Sequence, residues 1–232
     1  MTNKKLETKS RIESRWPAAG AIFVALLLYA LLPSSFPPAL RYGVALVGLA
    51  LMLPALAINP LSSDGQKGWS RPLAIALSLL LAVANEVDLV FLLARLLQPA
   101  SEKEAPILLL AAVQVWVVNI ISFAYIFWQL DRGGPVVRSE SKRDTLPEAD
   151  FRFPQDENFD AVDEVAVSAS RRSGWTANFI DYLYYSLSNA MAFSPPDAVP
   201  LTNRMKILTG VEALGAYVLL VLVIARAVSL LG

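Results

Sequence analysis

The sequence predicts an all-α integral membrane protein with five transmembrane helices and one re-entrant or interfacial half-helix. Of its 232 residues, 55% are hydrophobic and only 17% are charged, and the mean hydropathy is +0.49. A soluble domain is about 45–50% apolar and about 25% charged. The excess apolar residues lie in long blocks, which is typical of a chain that crosses a bilayer.

A helix needs roughly 20 apolar residues to cross the hydrocarbon core. Five blocks meet this length or come near it: residues 17–32, 40–58, 72–97, 106–130 and 205–231. A sixth stretch, residues 175–193, is aromatic but carries polar side chains, which favours an interfacial or re-entrant helix over a lipid-facing span. The predicted organisation is therefore a basic N-terminus (1–16), four transmembrane helices (17–130), a polar loop (131–174), and a half-helix, Pro-Pro turn and fifth span (175–232).

The distribution of Lys and Arg predicts a cytoplasmic N-terminus. Cytoplasmic loops of membrane proteins carry an excess of these residues. With the N-terminus inside and five crossings, most of the 20 basic residues lie on the cytoplasmic side. The basic residues before residue 17 also fit a signal peptide, but Pro33, Pro37 and Pro38 stand where a cleavage site would follow, which favours a signal anchor.

Composition excludes several kinds of chemistry. The chain has no Cys and no His, so it has no thiolate nucleophile, no imidazole base and no zinc ribbon. No cofactor is indicated. The loop over residues 131–174 has seven basic and ten acidic residues, a net charge of −3, which argues against a nucleic-acid partner.

Two interpretations of this loop are open. Its composition favours a partly ordered linker. The alternative is a lid that Phe151, Phe153 and Phe159 anchor against the helices. Gly133, Gly134 and Pro135 predict an abrupt end to the fourth helix in either case.

Asn85, Glu86 and Asp88 lie near the middle of the third block. A carboxylate there costs about 2.5–3.5 kcal/mol on insertion scales, so each needs a partner, trapped water or protonation. Asn85 and Asp88 share a helical stripe that also holds Arg95, with which Asp88 could pair through an intervening group. The Glu86 side chain projects from another side of this helix. The open alternatives are a water-filled path or ligand cavity, and polar packing between helices.

The fourth and fifth spans add further polar groups. Asn119 and Ser122 share one stripe of the fourth, and the fifth carries Glu212, which could pair with Arg204 or Lys206 near the interface. The simplest arrangement turns the polar stripes of the third, fourth and fifth spans toward one shared interior. The candidate polar pathway therefore comprises Asn85, Glu86, Asp88, Asn119, Ser122 and Glu212.

The short segment Ser194, Pro195, Pro196 and Asp197 is predicted to reverse the chain. The two prolines stop the half-helix, and Asp197 or Thr202 can cap the helix that follows. One interpretation is a re-entrant turn without other function. The other makes Ser194 and Asp197 the polar mouth of a cavity.

Two motifs carry a resemblance to known proteins. They are Phe-Trp-Gln-Leu-Asp-Arg-Gly-Gly-Pro at residues 127–135, and Asp-Tyr-Leu-Tyr-Tyr-Ser at 181–186 followed by Asn-Ala-Met-Ala-Phe-Ser-Pro-Pro-Asp at 189–197. Over its second half the chain resembles an uncharacterised prokaryotic family of multi-pass membrane proteins. The resemblance implies the plasma membrane of a prokaryote, but no activity and no functional residues.

The same region is similar in layout to the pore module of two-helix potassium channels. That module joins an outer helix, a half-membrane helix, a filter and an inner helix. A potassium filter needs consecutive backbone carbonyls aimed at the axis, which its glycines permit. Pro195 and Pro196 lock φ and remove two amide donors, so this segment cannot form such a filter.

Three functions remain open. The favoured one is a channel-like or transport subunit in the lipid bilayer, which would form a homo-oligomer if its pore-like half is used as a pore. The second is a structural or regulatory module that binds a partner through the cytoplasmic loop. The third is an intramembrane enzyme, which would need a carboxylate pair or an oxygen-ligated metal built from Glu86, Asp88 and Glu212.

Overall fold

The computed structural model describes residues 13–57, 70–98, 104–141, 143–191 and 196–229, and most of them are helical. The helices are α1 (Trp16–Ala30), α2 (Val44–Ala57), α3 (Ser70–Leu96), α4 (Glu104–Leu130), α5 (Pro135–Glu140), α6 (Asp163–Ala166), α7 (Ser170–Ser173), α8 (Phe179–Ala190) and α9 (Asn203–Ser229). A π-helical turn, Ala39–Gly43, leads into α2. Strands β1 (Phe151–Arg152) and β2 (Val199–Pro200) form one short antiparallel pair.

Three helices in the described part of the chain are long and apolar enough to cross a membrane. They cover Arg71–Leu96, Glu104–Gly133 and Asn203–Ser229. Two apolar helices, Trp16–Ala30 and Ala39–Pro54, are shorter. At about 1.5 Å per residue, α1 rises only about 22 Å, less than the roughly 30 Å of the hydrocarbon core. Length and composition thus make this a helical membrane protein, whereas the expected five spans are not confirmed.

Helix α4 is the centre of the fold. It packs against α1, α3, α8 and α9, and it is buried along most of its length. Its last two turns carry aromatic residues: the Phe127 ring contacts Phe151 and Tyr185 with centroids 5.3 and 5.4 Å apart, and Trp128 contacts Phe179 at 5.7 Å. Helix α9, by contrast, leaves most of its apolar surface exposed.

Helix α8 lies beside one half of α4. Its first residue, Phe179, contacts Trp128 near the end of α4, while the carbonyl of Ala190 accepts a hydrogen bond from Trp116 Nε1 at 3.4 Å. The two tryptophans are separated by about 18 Å of helix rise. By Val199 the chain has returned to pair with β1. Both ends of the segment that contains α8 therefore lie at the same end of α4.

Residues 131–174, which we call the cap, pack over that end of α4. Phe151 and Phe153 are buried, and their rings contact Tyr182 with centroids 6.0 and 5.4 Å apart. The favoured interpretation of this segment as a partly ordered linker is therefore wrong for 131–141 and 143–174. Its composition misled because four of its charged side chains, Asp131, Arg132, Arg138 and Asp150, are buried and paired instead of being hydrated. The side chain of Phe159, the third proposed anchor, lies outside the described part.

The predicted abrupt end of the fourth helix is confirmed. Helix α4 ends at Leu130, and Arg132, Gly133 and Gly134 have φ angles of 49°, 79° and 97°. A Cβ on Gly134 would lie 3.0 Å from the carbonyl oxygen of Gln129. This left-handed turn directs the chain across the end of the bundle and begins the cap.

Candidate functional site

The first polar cluster lies between α3 and α4. Asn85 Nδ2 donates a hydrogen bond to Asn119 Oδ1 at 2.7 Å, and both side chains are buried. This bond uses one donor and one acceptor, and within the described residues Asn85 Oδ1 and Asn119 Nδ2 have no partner. The two helices are thus joined by an amide pair that retains free hydrogen-bonding capacity in the interior.

Asp88 and Ser122 extend this cluster along the same stripes of α3 and α4. Both are buried, and Asp88 Oδ1 and Ser122 Oγ also lack a partner in the part of the chain that is described. The expected pairing of Asp88 with Arg95 is not found there, because Arg95 Nη1 instead donates to Gln98 Oε1 at 3.3 Å. We call these four side chains, Asn85, Asp88, Asn119 and Ser122, the amide cluster.

Glu212 forms a second, separate cluster between α8 and α9. The carboxylate is fully buried; Oε2 accepts a hydrogen bond from Asn189 Nδ2 at 2.7 Å, and Oε1 lies in a short contact with Ser186 Oγ. Ser186 and Asn189 are three residues apart and so share one face of α8. The expected pairing of Glu212 with Arg204 or Lys206 is wrong, since Arg204 pairs with Asp150.

The Ser186 hydroxyl bears on the protonation of Glu212. Ser186 Oγ lies 2.8 Å from the carbonyl oxygen of Ile120 and also contacts Glu212 Oε1. A hydroxyl has only one proton to donate. Both bonds can therefore exist together only when the Glu212 carboxyl is protonated and donates to Ser186. When Glu212 is ionised, Ser186 can satisfy either the carboxylate or Ile120, but not both.

Glu86 belongs to neither cluster. It is half-buried in an apolar groove of about 640 Å³ between α3, α4 and α9. Its Oε2 lies 4.0 Å from the position that a Cβ on Gly215 would occupy. The six candidate side chains thus do not form one hydrogen-bonded cluster. Asn85 bonds to Asn119 and Glu212 bonds to α8, whereas Glu86 lies in the groove, close enough to Glu212 for an electrostatic interaction.

The proposed turn falls largely outside the described residues. This applies to Ser194 and Pro195, whereas Pro196 is half-buried and Asp197 is exposed. The Thr202 hydroxyl donates to Asp150 Oδ1 at 2.6 Å, so it ties α9 to the cap. The sequence predicts that Asp197 or Thr202 caps the N-terminus of the following helix, whereas the Thr202 hydroxyl bonds to Asp150.

A network of charges beneath the cap was missed by sequence reasoning. Asp131 Oδ1 accepts a hydrogen bond from the backbone N–H of Asp150 at 2.7 Å, and Oδ2 accepts one from the Tyr182 hydroxyl at 2.5 Å. The Arg138 guanidinium donates to the carbonyl oxygens of Trp128 and Asp131 at 2.9 and 2.7 Å. It also lies over the Tyr182 ring, 5.1 Å from the centroid.

Glu13 connects this network to the start of α1. Its Oε1 accepts hydrogen bonds from Trp128 Nε1 at 2.5 Å and from the backbone N–H of Phe179 at 3.0 Å, and Oε2 lies 3.6 Å from Arg138. Burial raises the pKa of Glu13, while Arg138 opposes this rise. Four segments of the chain therefore meet at one buried polar centre.

Two signals pointed toward this centre. Asp131 and Arg132 directly follow a long apolar helix, a position in which charges need partners. Tyr182 and Tyr185 are spaced to share one face of α8, and the structure buries both of them.

Within the described ranges, no group of three or more His, Cys, Asp or Glu side chains could hold a metal ion. Comparison of the chain with protein families, curated proteins and solved structures gives no significant match.

Proposed function

We propose that this chain is a channel-like or transport subunit that passes protons or small cations, with Glu212 as the titrating group on the path. The observation that carries the proposal is the pair of α8 side chains, Ser186 and Asn189, that holds the buried Glu212 carboxyl about 13 Å into α9. Ionisable groups inside a membrane are rare and commonly belong to ion paths or proton relays.

The position of α8 supports this proposal. We assign it as a re-entrant half-helix, because it lies beside only half of α4 and the chain is back at β1 by Val199. Irregular backbone at membrane depth is tolerated only where it is buried in protein or lines a cavity. Broken and partial helices of this kind form the ion and substrate sites of many transporters.

The hydrogen bonds of Glu212 offer a way to couple proton transfer to structure. In the protonated state, Ser186 bonds to Glu212 and to the Ile120 carbonyl at once. Loss of the proton leaves one of these contacts unsatisfied, because Ser186 has a single proton to donate. A buried polar atom without a partner is costly. Ionisation of Glu212 therefore favours entry of water or a cation between α8 and α4.

The amide cluster supports a polar interior near the same depth. Its unpaired atoms on Asn85, Asp88, Asn119 and Ser122 are buried, whereas buried polar groups in proteins are normally hydrogen-bonded. Ordered water would satisfy them. We propose that water in this cluster and at the Glu212 site provides the polar route. The proposed setting is the plasma membrane of a prokaryote, with five crossings, a cytoplasmic N-terminus and assembly as a homo-oligomer.

Flux measurements test this function. The full chain is reconstituted in liposomes, and proton and potassium flux are followed with entrapped fluorescent dyes. We expect Glu212→Gln to lower flux at least tenfold, since glutamine keeps the shape but cannot release a proton. Glu157→Gln, on the exposed surface of the cap, is the matched control and should leave flux unchanged.

Folding of both variants is checked by gel filtration and thermal unfolding. Wild-type protein that gives no flux above empty liposomes would contradict the proposed function. A folded Glu212→Gln variant with wild-type flux would contradict the assigned role of Glu212.

A further inference from the structure

The groove that contains Glu86 is apolar apart from one carboxyl group. It measures about 640 Å³, which is within the roughly 300–1,000 Å³ range of small-molecule pockets. Its walls are aliphatic and aromatic, with Val83 and Val87 from α3, Phe123 and Ile126 from α4, and Val211 from α9. Glu86 is the ionisable side chain among the described residues that line it.

The Glu86 carboxylate is left without a partner in this groove. No ion pair is found for it in the described part of the chain, and Oε1 is shielded from solvent without a hydrogen bond. Gly215 on α9 lets Leu89 pack closely beside Glu86, because a Cβ there would stand 2.7 Å from Leu89 and 4.0 Å from Oε2. The site thus provides one unpaired carboxyl group among apolar walls.

These properties select among possible occupants. A small inorganic cation prefers several oxygen ligands, and the groove supplies one carboxylate. A neutral lipid tail would match the walls but leave the Glu86 carboxyl group without a polar partner. A cation that carries its own apolar groups matches both the apolar walls and the carboxylate.

We propose that this groove binds a lipophilic organic monocation, such as a substituted ammonium or phosphonium, with its charge against Glu86 and its apolar groups against α3, α4 and α9. The inference does not depend on the proposed proton or cation path through Glu212. The groove uses Leu208 and Val211 of α9, whereas Glu212 faces Ser186 and Asn189 of α8. The Glu86 and Glu212 carboxyl groups are close enough to interact electrostatically, so binding in the groove is measured separately from flux.

Equilibrium binding of radiolabelled tetraphenylphosphonium to the purified full chain in neutral detergent tests the site. We expect saturable binding to the wild-type protein and at least a tenfold loss of affinity in Glu86→Gln. Val211→Trp should lower affinity to a similar extent by filling the groove. Leu214→Trp, on the same helix but outside the groove lining, is its matched control and should bind as the wild type does.

The neutral analogue triphenylphosphine oxide separates recognition of charge from partition into an apolar surface. We expect it to compete weakly and equally in wild type and Glu86→Gln. Gel filtration verifies folding, and Leu208→Trp provides a second groove-filling variant if Val211→Trp does not fold. Non-saturable binding, unchanged affinity in Glu86→Gln, or unchanged affinity in the folded groove-filling variant would each overturn the proposal.

Discussion

Asp131 is a buried carboxylate whose two oxygens both have donors. One oxygen accepts from the backbone of Asp150 and the other from the Tyr182 hydroxyl. Such a group is stable in the interior only while both bonds are made, since an unpaired buried acceptor retains its full desolvation cost. The hydroxyl of Tyr182 is thus a structural partner of Asp131, in addition to the packing of its ring.

We therefore expect Tyr182→Phe to lower the free energy of unfolding by about 1–3 kcal/mol, because it leaves Asp131 Oδ2 without its donor. Thermal or denaturant unfolding of the protein in detergent measures the change. Tyr184→Phe is the control, since Tyr184 lies on the exposed side of α8 and should give a change near zero. Equal stability of the two variants would show that the Tyr182 hydroxyl contributes nothing to the network.

Individual polar residues also show what can and cannot be predicted from the sequence. The burial of Asn85, Asp88, Asn119 and Glu212 follows from polar groups in apolar helices. Their partners depend on how each helix is rotated about its axis, which periodicity alone does not determine. This is why Glu212 was assigned basic partners near the interface, whereas it faces the polar side of α8.

Among the elements, the turn after α4 has the strictest sequence requirement. Gly134 has a φ of 97°, and a Cβ there would lie 3.0 Å from the Gln129 carbonyl oxygen. A side chain at a left-handed position costs roughly 1–2 kcal/mol. The Gly-Gly-Pro motif therefore predicted both the end of the helix and the change of direction correctly, because the requirement is local.

We expect Gly134→Ala to lower the free energy of unfolding by at least about 1–2 kcal/mol. Gly210→Ala offers the opposite case: Gly210 lies within α9 with open space around its Cβ position, so alanine there should be neutral or stabilising by roughly 0.5–1 kcal/mol. Unfolding measurements on both variants compare the two glycines directly. Similar effects of the two substitutions would contradict the requirement for glycine at the turn.

The extent of α8 was harder to predict than its existence. Its apolar and polar residues indicated a helix that avoids lipid on one side, and the structure contains that helix. The depth that it reaches depends on contacts of Trp116 and Trp128 with its two ends, which are distant in sequence. Composition therefore left a full crossing and a partial one open.

At the scale of the whole molecule, the cap is the main departure from the sequence-based expectation. If all charged side chains of the cap are assumed to be hydrated, the segment is predicted to be a linker. In the structure the buried Asp150 carboxylate pairs with Arg204 and accepts from Thr202, which joins the cap to α9. Long-range pairs of this kind cannot be recognised from one sequence, because residues of opposite charge are available at many other positions.

We expect Arg204→Gln to loosen the attachment of the cap, because it leaves the buried Asp150 carboxylate with Thr202 but without its counterion. Amide hydrogen exchange at β1 and limited proteolysis of residues 131–174 should both become faster. Lys206→Gln, an exposed position two residues away, is the control and should leave both rates unchanged. Unaltered exchange at β1 in Arg204→Gln would show that the ion pair does not hold the cap.

The attachment of the cap to α9 has a mechanical consequence. The β1–β2 pairing and the Asp150–Arg204 pair hold the first turn of α9, and Glu212 lies about two and a half turns farther along the same stiff rod. Helix α8 is held by the same segment, because the Tyr182 hydroxyl donates to Asp131 of the cap. A displacement of the cap would therefore be transmitted to α8 and α9 together, and through both helices to the Glu212 carboxyl group that lies between them.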